Sequence, residues 1–297
     1  MVHIKRLFWG ISLGLLGMPF LTPAAQAQAL RLNPDTSSFE NLELTEGDIG
    51  VRVSYEHYDN LAETDDTNLS YQLVYQGEDR QQIDELTFLF AEFELRDLDN
   101  DDTAEVIVRN YSGGAHCCTN TAIYRWDGMA FTATETGYID GMGAHLEDID
   151  GDGNTEVTIF DQAFLYKFGS YVESFPPAVI LAYRGGELID ITHQFPERLR
   201  EQAETVKTTF LDVQAEYDIV SNSMLASYVA YHALLDEDFE AAWQYMLDNY
   251  NQEALWGLEI YEDGERVGYH PDFPTALRLF LVDIGYLDDM GQPKDRG

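Results

Sequence analysis

Apolar and polar residues alternate through the first two thirds of the chain. GVRVSY, starting at Gly50, and TFLFAEFEL, starting at Thr87, place apolar side chains at every second position, the period of a half-buried strand. Turn residues interrupt the alternation in LVYQGED around Gly77, IYRWDG around Gly128 and AYRGGE around Gly185 and Gly186, so these read as hairpins. Beyond Pro196 the period lengthens. Leu199, Ala203, Val206, Phe210, Val213 and Tyr217 fall on one face of a helix. Ser221 or Asn222 caps a second helix carrying Leu225, Tyr228, Tyr231 and Leu235. Asp236 or Asp238 caps a third, with Phe239, Trp243, Met246 and Tyr250 on one face. EIYEDGERVGY reads as a small hairpin turning at Asp263-Gly264. Pro274 opens a last helix, TALRLFLVDI, that stops at Gly285. The pattern predicts an α+β chain. A flexible lead-in covers 30–43, an antiparallel β region 44–195, a helical region with the small hairpin 196–290, and a polar tail 291–297.

Two acidic loops stand inside the β region. DLDNDDTAE runs from Asp97 to Glu105, and DIDGDGNTE from Asp148 to Glu156. They repeat at an offset of 51 residues, so Asp97, Asp99, Asp101 and Glu105 align with Asp148, Asp150, Asp152 and Glu156. Carboxylates at alternate positions of a tight loop converge and repel one another, which calls for a counter-charge. Hard oxygen ligands in this number suit Ca²⁺. Thr103 and Asn154, at position 7, would each add a backbone carbonyl. Gly153 at position 6 permits the positive φ that turns the loop. Asp102 occupies that position in the first loop, and aspartate tolerates the left-handed region better than most residues. On that ground the 148–156 site is expected to bind more securely than the 97–105 site. An EF-hand would need a bidentate Glu at position 12. Val108 and Ile159 stand there instead, and a strand-type segment follows each loop.

The pattern DxDxDGxxE followed by a strand resembles the calcium loops of the FG-GAP and VCBS repeat families over roughly residues 90–190. The second loop fits it; the first departs at Asp102. The resemblance implies small antiparallel sheets of the kind that form β-propeller blades. The hairpins then make about three blade-like units, the first lacking a full acidic loop. Closed propellers carry four or more blades, so a partial propeller is expected, its open end covered by the helical region. The implied function is calcium-dependent binding of a protein or glycan partner, without catalysis.

Composition sharpens this picture. The formal net charge is −37, so nucleic acid is repelled as a partner. Lys5 and Arg6 precede an apolar stretch from Leu7 to Leu21, and small residues follow at Ala25, Ala27 and Ala29. That is a secretory signal over 1–29, cut after Ala27 or Ala29. The apolar stretch is shorter than the ~20 residues of a spanning helix. Export to a periplasmic or extracellular location follows, with no membrane-spanning segment.

Two cysteines are present, and they are neighbours: Cys117 and Cys118, in NYSGGAHCCTN. In an oxidising compartment they can close a vicinal disulfide, with Cα atoms ~3.8 Å apart across a trans peptide. A thiol or soft-metal site with His116 is the alternative, lacking an identifiable fourth ligand. FDQAFLYKFGSYVESFPP carries Phe164, Tyr166, Phe168, Tyr171 and Phe175. These pack against a neighbouring sheet or form a stacking surface for sugar or peptide. His145 reads as a hydrogen-bonded core residue. No nucleophile elbow, HExxH or phosphate loop occurs. A polysaccharide-acting enzyme remains an alternative that needs a carboxylate pair in a cleft.

Overall fold

A computed structural model describes residues 28–61, 66–217 and 221–294. The expected secretory signal lies outside them up to Ala27. The chain is mixed α+β, with antiparallel sheets first and helices last.

Three successive sheets account for the β region among the described residues. The first takes β2 (Phe39–Glu46), β3 (Ile49–Tyr55), β4 (Leu69–Tyr75) and β5 (Glu78–Glu85) in that order. The second runs β1 (Gln28–Leu32), β6 (Ala91–Arg96), β7 (Glu105–Tyr111), β8 (Thr119–Trp126) and β9 (Phe131–Ile139). The third takes β10 (His145–Glu147), β11 (Glu156–Phe160), β12 (Ala178–Arg184) and β13 (Glu187–Asp190). The hairpin turns fall at Gly77, Gly128 and Gly185, all at positive φ.

The sheets stack in chain order, as the strand patterns require. EVIVRNY of β7 is buried on both faces. Val106 and Val108 join Val51, Val53, Tyr71 and Leu73 of the first sheet in one core. Ile107 points the other way, into a core with Leu146, Val157 and Tyr183 of the third sheet. A strand covered on both sides reads as a continuous apolar run. β3, covered on one side, keeps Arg52 and Ser54 half-exposed.

The lead-in expectation is corrected. Residues 28–32 form the edge strand β1, paired with β6 from Leu32 opposite Ala91 to Gln28 opposite Leu95. Leu32 is buried in the core between the first two sheets and Leu30 packs against it, so these apolar side chains have cover to gain. Arg31 reaches across to Glu92 at 2.6 Å, and Arg109 holds the same carboxylate at 2.9 Å. Strand β2 begins at Phe39, so only a short turn separates the two.

The helical region comprises α1 (Pro196–Glu216), α2 (Ser223–Leu235), α3 (Phe239–Asn249), the hairpin β14 (Glu259–Glu262) and β15 (Glu265–Tyr269), and α4 (Phe273–Asp283). Asn222 and Asp238 occupy the N-cap positions of α2 and α3. Leu199, Ala203, Val206 and Phe210 are buried as the spacing predicts, but Tyr217 caps the end of α1 and is exposed. α2 is buried nearly all round rather than on one stripe, because α1 and α3 flank it and Tyr231 donates its hydroxyl hydrogen to Gln202 of α1 at 2.7 Å. No helix among the described residues is long and apolar enough to cross a membrane.

Candidate metal loops and the cysteine cluster

The two acidic loops connect β6 to β7 and β10 to β11, and they fold alike. Asn100 and Asp102 in the first, Gly151 and Gly153 in the second, all have positive φ. In each loop the carboxylate at position 1 accepts backbone N–H bonds from residues ahead of it. Asp97 accepts from Asp101 and Asp102 at 3.1 and 2.9 Å. Asp148 accepts from Gly151, Asp152 and Gly153 at 2.7, 3.1 and 3.1 Å. The position-9 glutamates are tied identically: the Leu98 amide donates to Glu105 Oε2 at 2.9 Å, and the Ile149 amide to Glu156 Oε2 at 2.8 Å. The loops also touch, since the Thr155 amide donates to the Leu98 carbonyl at 2.8 Å.

Not every expected ligand converges. Carboxylate oxygens of Asp97, Asp99 and Asp101 lie within 4.8 Å of one another, as do those of Asp148, Asp150 and Glu156. Asp152 stands aside, bonded to the backbone and side-chain nitrogens of Asn154, which hold its carboxyl below the usual range. In the first loop the Thr103 amide donates to Asp101 at 2.9 Å, the counterpart of the Asn154 amide bond to Asp152.

The first loop is the more enclosed. Glu105 is fully buried, and its Oε1 has no hydrogen-bond partner among the described residues. Asp99 Oδ1, Arg125 Nε and the Tyr183 hydroxyl are also buried and unpartnered. Burial pushes the Glu105 carboxyl up to about 8; the Leu98 amide opposes that rise, and the charges of Asp99, Asp101 and Asp97 add to it. Burial likewise raises the Tyr183 phenol, reinforced by Glu105 and Asp99. Glu156 shifts upward for the same first reason. Two neighbours contribute that spacing could not announce. Arg125 of β8 reaches Asp101 at 3.3 Å, and the Gly185 amide, at the β12–β13 turn, donates to Asp99 Oδ2 at 3.0 Å. The second contact ties the loop of one sheet to the hairpin of the next.

Cys117 and Cys118 form a vicinal disulfide in the β7–β8 loop. The peptide between them is cis, not the expected trans, and their Cα atoms are 3.0 Å apart, the spacing a cis link imposes. Asp140, after β9, is the partner that sequence reading missed. Its carboxylate, Cys117 Sγ and Cys118 Sγ lie within 4.8 Å of one another. His116 Nδ1 sits 2.7 Å from Asp140 Oδ1, and the Tyr171 hydroxyl donates to Oδ2. That bond, with burial second, pushes the Tyr171 phenol up to about 12. The His116 ring stacks on Tyr171 at 4.0 Å, and its Nε2 lies 3.0 Å from the Tyr166 hydroxyl.

The aromatic loop therefore divides. Phe164 and Phe168 are buried not against a sheet but in the helical core, edge-on to Phe280 and, respectively, Tyr286 and Phe273. Tyr166 and Tyr171 turn to the cysteine loop. Phe175 lines a cavity of ≈ 810 Å³ beside α1, together with Asp140, His145, Tyr171 and Val206. His145 is exposed at its rim rather than in the core, because β10 is a three-residue edge strand whose side chains alternate outward.

These features define a class: stacked antiparallel sheets with paired acidic loops, followed by a helical C-terminal unit. The chain belongs to the family of the probable thylakoid lumen protein sll0997 of Synechocystis sp., being 30% identical over 291 residues that cover 89% of this chain and 84% of that protein. Residues 192–285, which hold α1 to α4, match the family described as the sll0997 C-terminal domain. The uncharacterized protein y4bJ of Sinorhizobium fredii is 34% identical over 191 residues, 62% of this chain and 30% of its own length. The chain thus spans under a third of that relative. No solved structure matches.

Proposed function

We propose that this is an exported calcium-binding protein of FG-GAP or VCBS type, a non-enzymatic module that presents a rigid surface to a protein or glycan partner. The observation that carries this reading is the first acidic loop. Asp99 and Glu105 bury oxygens that no donor satisfies, next to a convergent trio of carboxylates. A buried, unpaired carboxylate is costly, and a divalent cation with oxygen preference relieves all of these groups together. The second loop repeats the fold, with a more open set of ligands. On this reading the three sheets are blade-like units of an open fan, and α1–α4 cover its end. The name of the Synechocystis relative, a probable thylakoid lumen protein, supports a place outside the cytoplasm, as does the signal-like start.

A calcium titration followed by calorimetry, with melting curves in chelator and in millimolar Ca²⁺, tests the proposal. The expected result is binding heat at two sites and a higher melting temperature, because a ligand bound only by the folded chain stabilises by mass action. No heat, together with melting unaffected by chelator, overturns it.

A further inference from the structure

The cysteine cluster lies apart from the acidic loops and is built from three stretches of chain. Cys117 is exposed and Cys118 buried. Asp140 is fixed from several sides: His116 and Tyr171 hold its two oxygens, and its amide donates to Gln162 Oε1 at 2.9 Å. A carboxylate is thus held within 4.8 Å of both sulfurs.

That carboxylate decides what a reduced pair can do. A thiol–disulfide catalyst needs its thiolate stabilised by positive charge or a helix N-terminus. Asp140 sets a carboxylate, not a cation, beside the sulfurs. The same arrangement suits a cation. Two thiolates and a carboxylate are a borderline-soft donor set of the kind that holds Zn²⁺. Tetrahedral Zn²⁺ with Zn–S near 2.3 Å needs sulfurs roughly 3.7 Å apart, a span that neighbouring side chains reach once the S–S bond is gone.

We propose that Cys117, Cys118 and Asp140 form a redox-gated Zn²⁺ site, closed while the disulfide is intact and opened by a small dithiol. The reductant's thiolate attacks the exposed Cys117 sulfur, and Cys118 leaves as a thiolate and takes up a proton. The reductant's second thiol then displaces Cys117, which also takes up a proton. Two electrons and two protons pass to the protein, and the reductant departs as a cyclic disulfide. Zn²⁺ binds by releasing both thiol protons, with water in the fourth position. His116 and Tyr171 are positioning residues that orient the Asp140 carboxylate.

The full chain, held in millimolar Ca²⁺ so that the acidic loops are occupied, is reduced with dithiothreitol, desalted without oxygen and titrated with Co²⁺, then with Zn²⁺. Thiolate-to-cobalt charge-transfer bands arise only from sulfur ligands, so carboxylate loops cannot mimic them. One equivalent of Co²⁺ should produce the bands in reduced protein and none in oxidised protein, and Zn²⁺ should abolish them. Asp140→Asn should weaken Zn²⁺ at least ~10-fold, and Tyr171→Phe should weaken it less, within the ~10–100-fold that supporting hydrogen bonds command. Cys117→Ser should lose the bands; an unchanged far-UV spectrum and a cooperative thermal melt show that each variant is folded. Absence of bands in the reduced chain, equal bands in the oxidised chain, or an Asp140→Asn affinity equal to the parent's each overturns the proposal.

Discussion

Glu105 is the residue whose chemistry is most exposed to test. Its folded pKa stands at about 8, against an ordinary 4.5. Between those values the folded chain keeps a proton that the unfolded chain has lost. The folded state binds more protons there, so stability falls as pH rises through that window. In chelator, the melting temperature should therefore decline as pH climbs from 4.5 towards 8. Millimolar Ca²⁺ should flatten the decline, because the cation replaces the proton. Glu105→Gln should remove the slope in chelator and reduce the calcium heat; a slope that persists in the variant would assign it elsewhere. Cys117 and Cys118 offer a simpler check. The disulfide-bonded chain should weigh ~2 Da less than its reduced form and resist alkylation until a reductant is added, since the thiolate is the nucleophile.

Elements were legible where chemistry is local. The hairpins at Gly77, Gly128 and Gly185 announced themselves because positive φ favours glycine. The helix starts at Asn222 and Asp238 fall where short polar residues precede an apolar period, although neither side chain bonds its own helix and Asn222 instead bonds the backbone of Asn251. Partners distant in sequence left no such mark. Asp140 meets Cys117 and Cys118 only because β8 and β9 run back to the same end of the sheet. β1 straddles the boundary between the expected signal and the expected lead-in, and its strand character shows only through its partner β6, some sixty residues away. The all-round burial of α2 depends on two neighbours, not on its own period. At this scale two substitutions are informative. Asp272 caps α4 by accepting from the Thr275 amide at 2.9 Å, and bonds from Thr275 hold its carboxyl below the usual range. Asp272→Ala should cost about 1 kcal/mol in a denaturant melt. Because that pKa is depressed, the charge-dependent part of the cap is fully present above the unfolded pKa and fades as pH falls through the folded one. Ile107→Ala opens a cavity between the second and third sheets and should cost about 2–5 kcal/mol by the same measurement.

The three sheets stack in chain order, and the second and third are also bonded to each other at one end. The Asp99–Gly185 and Thr155–Leu98 bonds join the second and third sheets beside the acidic loops. Calcium at the first loop should therefore slow amide exchange at the β12–β13 turn as well as in the loop itself. Exchange at Gly185 that is indifferent to chelator would show the two sheets to be uncoupled there.

The pairing of β1 with β6 reaches beyond stability. Among the described strands β1 is synthesised first, yet its seat on β6 does not exist until the whole first sheet has followed it. Such a non-local pairing is slow to close. Until it closes, β6 offers a bare row of backbone groups flanked by Phe93 and Leu95, and an open edge of this kind recruits strands from other chains. The order of manufacture thus makes the earliest strand a late lock, and a second copy of the chain its natural competitor.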